Sequence, residues 1–152
     1  MERKFENSKI KVNDWTEVPK DYTGIAELTN GSKLWYLNGK KHRIDGPAIE
    51  YSNGSKIWCL NGEQHRIDGP AREYISGTKE WFLNDKRHRE DGPACEWVNG
   101  DKEWWLNDKR HRLDGPAIEC INGDKLYFIY GEEVTKEAQE ILYAFYKLKG
   151  ML

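Results

Sequence analysis

The sequence predicts a mostly β, single-domain repeat protein: an antiparallel meander of stacked 23-residue β-hairpins forming an elongated twisted sheet, with a C-terminal capping α-helix. Three observations predict it. The phrase HRIDGPA occupies 42–48 and 65–71, with HREDGPA at 88–94 and HRLDGPA at 111–117, so His42, His65, His88 and His111 stand 23 residues apart. Other columns keep the same step: Trp35, Trp58, Trp81 and Trp104, with Tyr127 in fifth place; Leu37, Leu60, Leu83 and Leu106; Lys33, Lys56, Lys79, Lys102 and Lys125; Glu27, Glu50, Glu73, Glu96 and Glu119. An Asn-Gly or Ser-Gly pair recurs in every repeat, between stretches rich in β-branched and aromatic residues, which is the strongest short-range hairpin signal.

Residues 1–22, with Phe5, Ile10, Val12 and Trp15, read as an irregular or strand-like N-terminal cap. Residues 23–131 hold the hairpins. Their turns are Asn30-Gly31, Asn53-Gly54, Ser76-Gly77, Asn99-Gly100 and Asn122-Gly123. A three-residue loop, a type I turn closed by a left-handed Gly, sets Glu50 opposite Lys56, Ile49 opposite Ile57 and Ala48 opposite Trp58. The same rule pairs Glu73 with Lys79, Glu96 with Lys102, Glu119 with Lys125, and Arg72 with Glu80. A two-residue loop would set Glu73 against Glu80, so charge selects the longer loop. A second turn at Asn61-Gly62 and the Asp68-Gly69-Pro70 bend return the chain, giving two main strands per repeat.

Side chains alternate across a strand, so Ala48, Glu50, Lys56, Trp58 and Leu60 share a face whose residue types recur. The recurring Trp and Leu are expected to be a buried spine joining one repeat to the next. The opposite face varies. It carries Tyr51, Ile57 and Cys59, then Arg72, Tyr74, Glu80 and Phe82, then Cys95, Trp97, Glu103 and Trp105. Its mid-sheet charges predict exposure, and exposed Tyr, Trp, Phe and Arg have the composition of a binding hot spot. Arg72, Tyr74, Glu80, Phe82, Trp97, Glu103 and Trp105 are therefore the candidate protein-binding residues.

Residues 132–152 hold the helical cap. Thr135 is placed to N-cap; Glu137 and Glu140 lie early, Lys147 and Lys149 late, and Gly150 closes. Ala138, Ile141, Leu142, Phe145 and Leu148 form an apolar stripe that covers the last hairpin. The alternative is a helix that docks on a partner or forms a homodimer, with Tyr143 and Tyr146 as added aromatic surface.

The phrase G-x-K-x-W-x-L-N-G-x-x-H-R-x-D-G-P-A-x-E resembles the MORN-variant repeats of bacterial, phage and large-virus proteins over about residues 23–131. That resemblance implies stacked hairpins and a scaffolding or binding role. The better-known MORN form has Gly after the His; here Arg43, Arg66, Arg89 and Arg112 stand in that place.

Composition excludes other classes. The net charge of −2 gives no whole-molecule basic field for nucleic acid. No apolar run approaches the ~20 residues of a membrane span, and MERKFENSKIKVNDW lacks a signal peptide's apolar stretch. Cys59, Cys95 and Cys120 have no CxxC spacing and read as reduced thiols of a cytoplasmic protein. One His and one Asp per repeat, with equivalent residues ~10 Å apart across two strand spacings, leave any metal site short of ligands. No nucleophile motif or phosphate loop occurs, and identical repeated groups do not converge on one point as an active site does. The expectation is a non-enzymatic protein, without cofactor or metal, that engages another protein as an adaptor or as a phage-type inhibitor of a host factor. The alternative is nucleic-acid or nucleotide sequestration along a basic edge formed by Arg43, Arg66, Arg89 and Arg112 with Lys86 and Lys109.

Overall fold

The computed structural model describes residues 8–151, so Phe5 lies outside the described residues. Among these, a 13-stranded sheet runs along the chain, accompanied by three separate two-stranded hairpins. The strands of the long sheet follow in chain order and pair antiparallel, except that Lys9–Val12 runs parallel to Gly24–Leu28. This is the predicted meander of hairpins. Val12 from the N-terminal strand packs with Ala26, Leu34, Tyr36 and Ile49 in a buried cluster.

Each first turn has the three-residue geometry. Gly54 donates its N–H to the Tyr51 carbonyl at 2.9 Å, and Tyr51 donates to Ser55 at 2.9 Å. Gly54 sits at φ 91°, a region that costs a side-chain-bearing residue steric strain. The register follows: Glu50 faces Lys56, Ile49 faces Ile57, Arg72 faces Glu80, Glu73 faces Lys79, Glu96 faces Lys102 and Glu119 faces Lys125.

The expected Ala48–Trp58 ladder pair does not form. The strand breaks at Trp58, whose N–H donates instead to Ala71 of the following repeat at 2.8 Å and whose carbonyl accepts from His65 at 3.1 Å. Beyond the break, Cys59–Leu60 pairs with Glu63–Gln64 as a second hairpin, and Phe82–Leu83 with Lys86–Arg87, and Trp105–Leu106 with Lys109–Arg110, repeat the arrangement. The tips of these hairpins are two-residue loops with both residues left-handed, for example Asn84 at φ 51° and Asp85 at φ 61°. Such loops match the right-handed twist of the flanking strands.

The helix α1 spans Lys136–Leu148, with the Thr135 hydroxyl accepting from the Ala138 N–H at 3.2 Å. Gln139 is its buried anchor, 3% exposed. Its amide donates to the carbonyls of Arg112, Leu113 and Gly115, so α1 caps the last HRLDGP loop. The apolar stripe is only half covered: Ala138 and Leu142 are half-buried, whereas Ile141, Phe145 and Leu148 are exposed. No helix among the described residues is long and apolar enough to cross a membrane.

Candidate protein-interaction surface

The repeated phrase builds a cage around each arginine. The Arg43, Arg66, Arg89 and Arg112 guanidinium groups lie 4.2, 4.0, 4.1 and 4.0 Å from the ring centres of Trp35, Trp58, Trp81 and Trp104. Each pairs with the Asp two residues on, at 2.9, 3.0, 2.8 and 2.8 Å. Each also pairs with the Glu seven residues on, at 3.3, 2.9, 3.1 and 2.9 Å. The intervening Gly is required because a Cβ on Gly46, Gly69, Gly92 or Gly115 would stand 2.9–3.0 Å from the guanidinium carbon. The guanidinium is thus held between an indole and a bare backbone. The Trp column is half-buried and shielded by arginine instead of being hidden between rungs. The hydrogen bonds these arginines donate, aided by their charge, hold the Asp45, Asp68 and Asp91 carboxyls below the usual range.

Two further sets of contacts join successive rungs. Nδ1 of His42 accepts from the Asn61 N–H at 2.9 Å, and His65 and His88 meet the side-chain oxygens of Asn84 and Asn107 at 2.8 and 3.1 Å. His111 accepts from the Tyr130 N–H at 3.1 Å and stacks on its ring at 4.1 Å. The histidines therefore grip the left-handed tips of the next rung. Along the other margin, the side-chain oxygens of Ser32, Ser55, Thr78 and Asp101 accept the N–H of Ser52, Ile75, Val98 and Ile121 at 3.0, 3.1, 3.2 and 2.7 Å.

The variable face proves to be the more enclosed one. Ile49, Cys59, Glu80, Phe82, Cys95 and Ile118 are all buried there. Cross-strand pairing in the second hairpins turns Gln64, Arg87 and Arg110 onto this face, beside Cys59, Phe82 and Trp105. Arg87 lies 5.7 Å from the Phe82 ring and 5.2 Å from Trp105; Arg110 lies 4.9 Å from Trp105 and 5.5 Å from Phe128. Arginines thus intercalate between aromatic rungs. The Glu80 carboxylate accepts from Arg72 at 3.0 Å and Tyr74 at 3.1 Å, with Arg87 at 3.7 Å. Glu103 accepts from the indoles of Trp97 and Trp105, both at 3.1 Å, and pairs with Arg110 at 3.4 Å. Burial together with the Glu80 charge raises the Tyr74 hydroxyl pKa. Burial pushes the thiols of Cys59 and Cys95 up to about 11 and about 12, so both are protonated at neutral pH.

The seven candidate binding residues therefore come together, though not all at the surface. Glu80 and Phe82 are buried, which corrects the expectation that mid-sheet charges mark exposure: here opposite charges neutralise one another under cover. Arg72, Tyr74, Glu103 and Trp105 are half-buried; Trp97 is exposed. Arg72, Tyr74, Glu80, Arg87 and Trp97 line a shallow hollow of about 430 Å³. Beside it runs a row that sequence reasoning missed: Ile75, Val98 and Ile121, 70%, 66% and 72% exposed. Its sequence signal was present, since these positions are 23 residues apart and each follows an aromatic or Cys. Trp105, enclosed by two arginines and bonded to Glu103, is a poor place to probe contact without disturbing the fold.

On the basic edge, a cleft of about 910 Å³ opens between loops 65–70 and 88–91 above Trp81 and Leu83. Its Arg66 and Arg89 already hold two carboxylates each, whereas Lys86 and Lys109 are exposed. In comparison with known proteins, no family model and no curated protein matches this chain.

Proposed function

We propose that the chain is a non-enzymatic, cytoplasmic adaptor that binds another protein through the turn-side margin of its variable face. The carrying observation is the exposed row Ile75, Val98 and Ile121 beside the exposed Trp97 and the hollow around Tyr74. Apolar residues gathered in register at the surface favour a protein partner. The reading as a non-enzyme is supported by repetition, because the same side chains serve the same structural bonds on each rung. The MORN-variant resemblance supports a binding role, and within it an inhibitor of a host factor.

Val98→Lys, at an exposed position, is the test. Capture of the partner from host extract should be lost while the melting temperature stays within a degree or two, since surface changes cost about 0.5 kcal/mol or less. Undiminished capture by Val98→Lys and Trp97→Ala sinks the reading. The alternative, nucleic-acid or nucleotide binding, draws its support from exposed Lys86 and Lys109. Carboxylates on each caged arginine weigh against it, because they compete with phosphate. A salt-dependent mobility shift at low ionic strength would favour that alternative.

A further inference from the structure

We propose that the outward face of α1 pairs with α1 of a second copy of this chain, antiparallel about a two-fold axis near Ala144. The inference is independent of the adaptor surface, which lies on the turn margin of the sheet. Gln139 fixes which side of α1 faces the repeats, and Leu142, Tyr143 and Tyr146 on that side are half-buried. The far side carries Ile141, Phe145 and Leu148, exposed by 70%, 51% and 88%. Their spacing of four and then three residues is that of a helix-pairing seam. Met151, 63% exposed, extends the apolar surface past the helix end.

Charge selects the occupant and its direction. Glu140, Ala144 and Lys147 form one flank of the seam, again spaced by four and three, and all are exposed. Antiparallel pairing of two identical helices sets Glu140 of each against Lys147 of the other, with the small Ala144 at the crossing. Parallel pairing would set Glu140 against Glu140. The pair Glu140 makes within its own helix, to Lys136 at 3.6 Å, is about 60% exposed at both ends and exchanges readily. The seam brings Ile141 against the second copy's Leu148, and the two Phe145 rings together near the axis. A seam this short gives a weak, concentration-dependent dimer.

Sedimentation equilibrium on the whole chain, from low micromolar to about 1 mM, tests it. The expected result is a rise from one to two chain masses. Ile141→Glu with Leu148→Glu should stay at one mass throughout while the melting temperature and helical circular dichroism are unchanged. Glu140→Lys alone should weaken association roughly three- to ten-fold, and adding Lys147→Glu in the same chain should restore it. A wild-type chain that stays at one mass to the top of the range overturns the proposal, as does undiminished association in the double-Glu variant. Failure of the charge swap to restore association overturns the antiparallel arrangement.

Discussion

The HRxDGPxxE phrase is explained by its arginine. One guanidinium satisfies Trp, Asp, Glu and a proline carbonyl at once, so the phrase cannot change in one place without leaving partners unmatched. Gly92→Ala puts a Cβ 2.9 Å from the Arg89 guanidinium carbon and should destabilise by about 1–3 kcal/mol, as overpacking does. In an Arg89→Ala background the same change should cost much less, a coupling that thermal or urea denaturation of the four proteins measures. His111 carries a pH dependence. Burial lowers the His111 pKa from 6.5, and its Nδ1 accepts the Tyr130 N–H, which favours the neutral ring. The unfolded chain therefore binds the extra proton first. Stability from His111 is fully present above pH 6.5 and is lost as pH falls through its lower folded value. The Asp45, Asp68 and Asp91 pairs keep their contribution above 3.8 and lose it further into acid. The melting temperature should fall on acidification from pH 7 to 5, together with the His111 and Tyr130 NMR signals. A rise would contradict the assignment.

At the scale of the element, each repeat is two hairpins joined at a tryptophan whose N–H bonds the next rung. The loop type and the register were legible because Gly at the end of a three-residue turn and the facing charges Arg72 and Glu80 admit one solution. Face exposure was not, because alternation tells which residues lie together but not which side closes. Closure depended on Arg87 and Arg110, which stand beside the exposed Lys86 and Lys109 and look like part of the same basic edge. Only the two-residue hairpin register turns them inward against Phe82 and Trp105. Glu80→Ala tests that closed side. It strands Arg72 and Arg87 under partial cover and should cost about 3 kcal/mol, toward the lower end for a broken buried pair because both arginines keep some solvent. Little change in urea denaturation would mean that water already satisfies both arginines. Helix α1 was legible from Thr135 to Gly150, but its anchor was not: a polar Gln139 outside the apolar stripe holds it in place.

For the whole molecule, every recurring bond is either internal to a repeat or reaches the adjoining one. Stability is then close to a sum over units and their neighbour contacts. Deleting residues 65–87 removes Arg72, Glu80 and Arg87 together, so no charge is stranded, and brings Gln64 before His88 in unchanged phase. The shortened chain should fold, with a cooperative melt at lower temperature and a nearly unchanged circular dichroism spectrum per residue. Deleting 12 residues from the same segment should abolish that melt, since it takes the downstream rungs out of the 23-residue phase on which the contacts between rungs depend. The histidine contacts carry this further. Each reaches forward to one tip, so no bond of that type straddles two junctions. Under tension applied to its two ends the molecule should surrender one rung after another, in steps of equal contour length, instead of yielding in a single rupture.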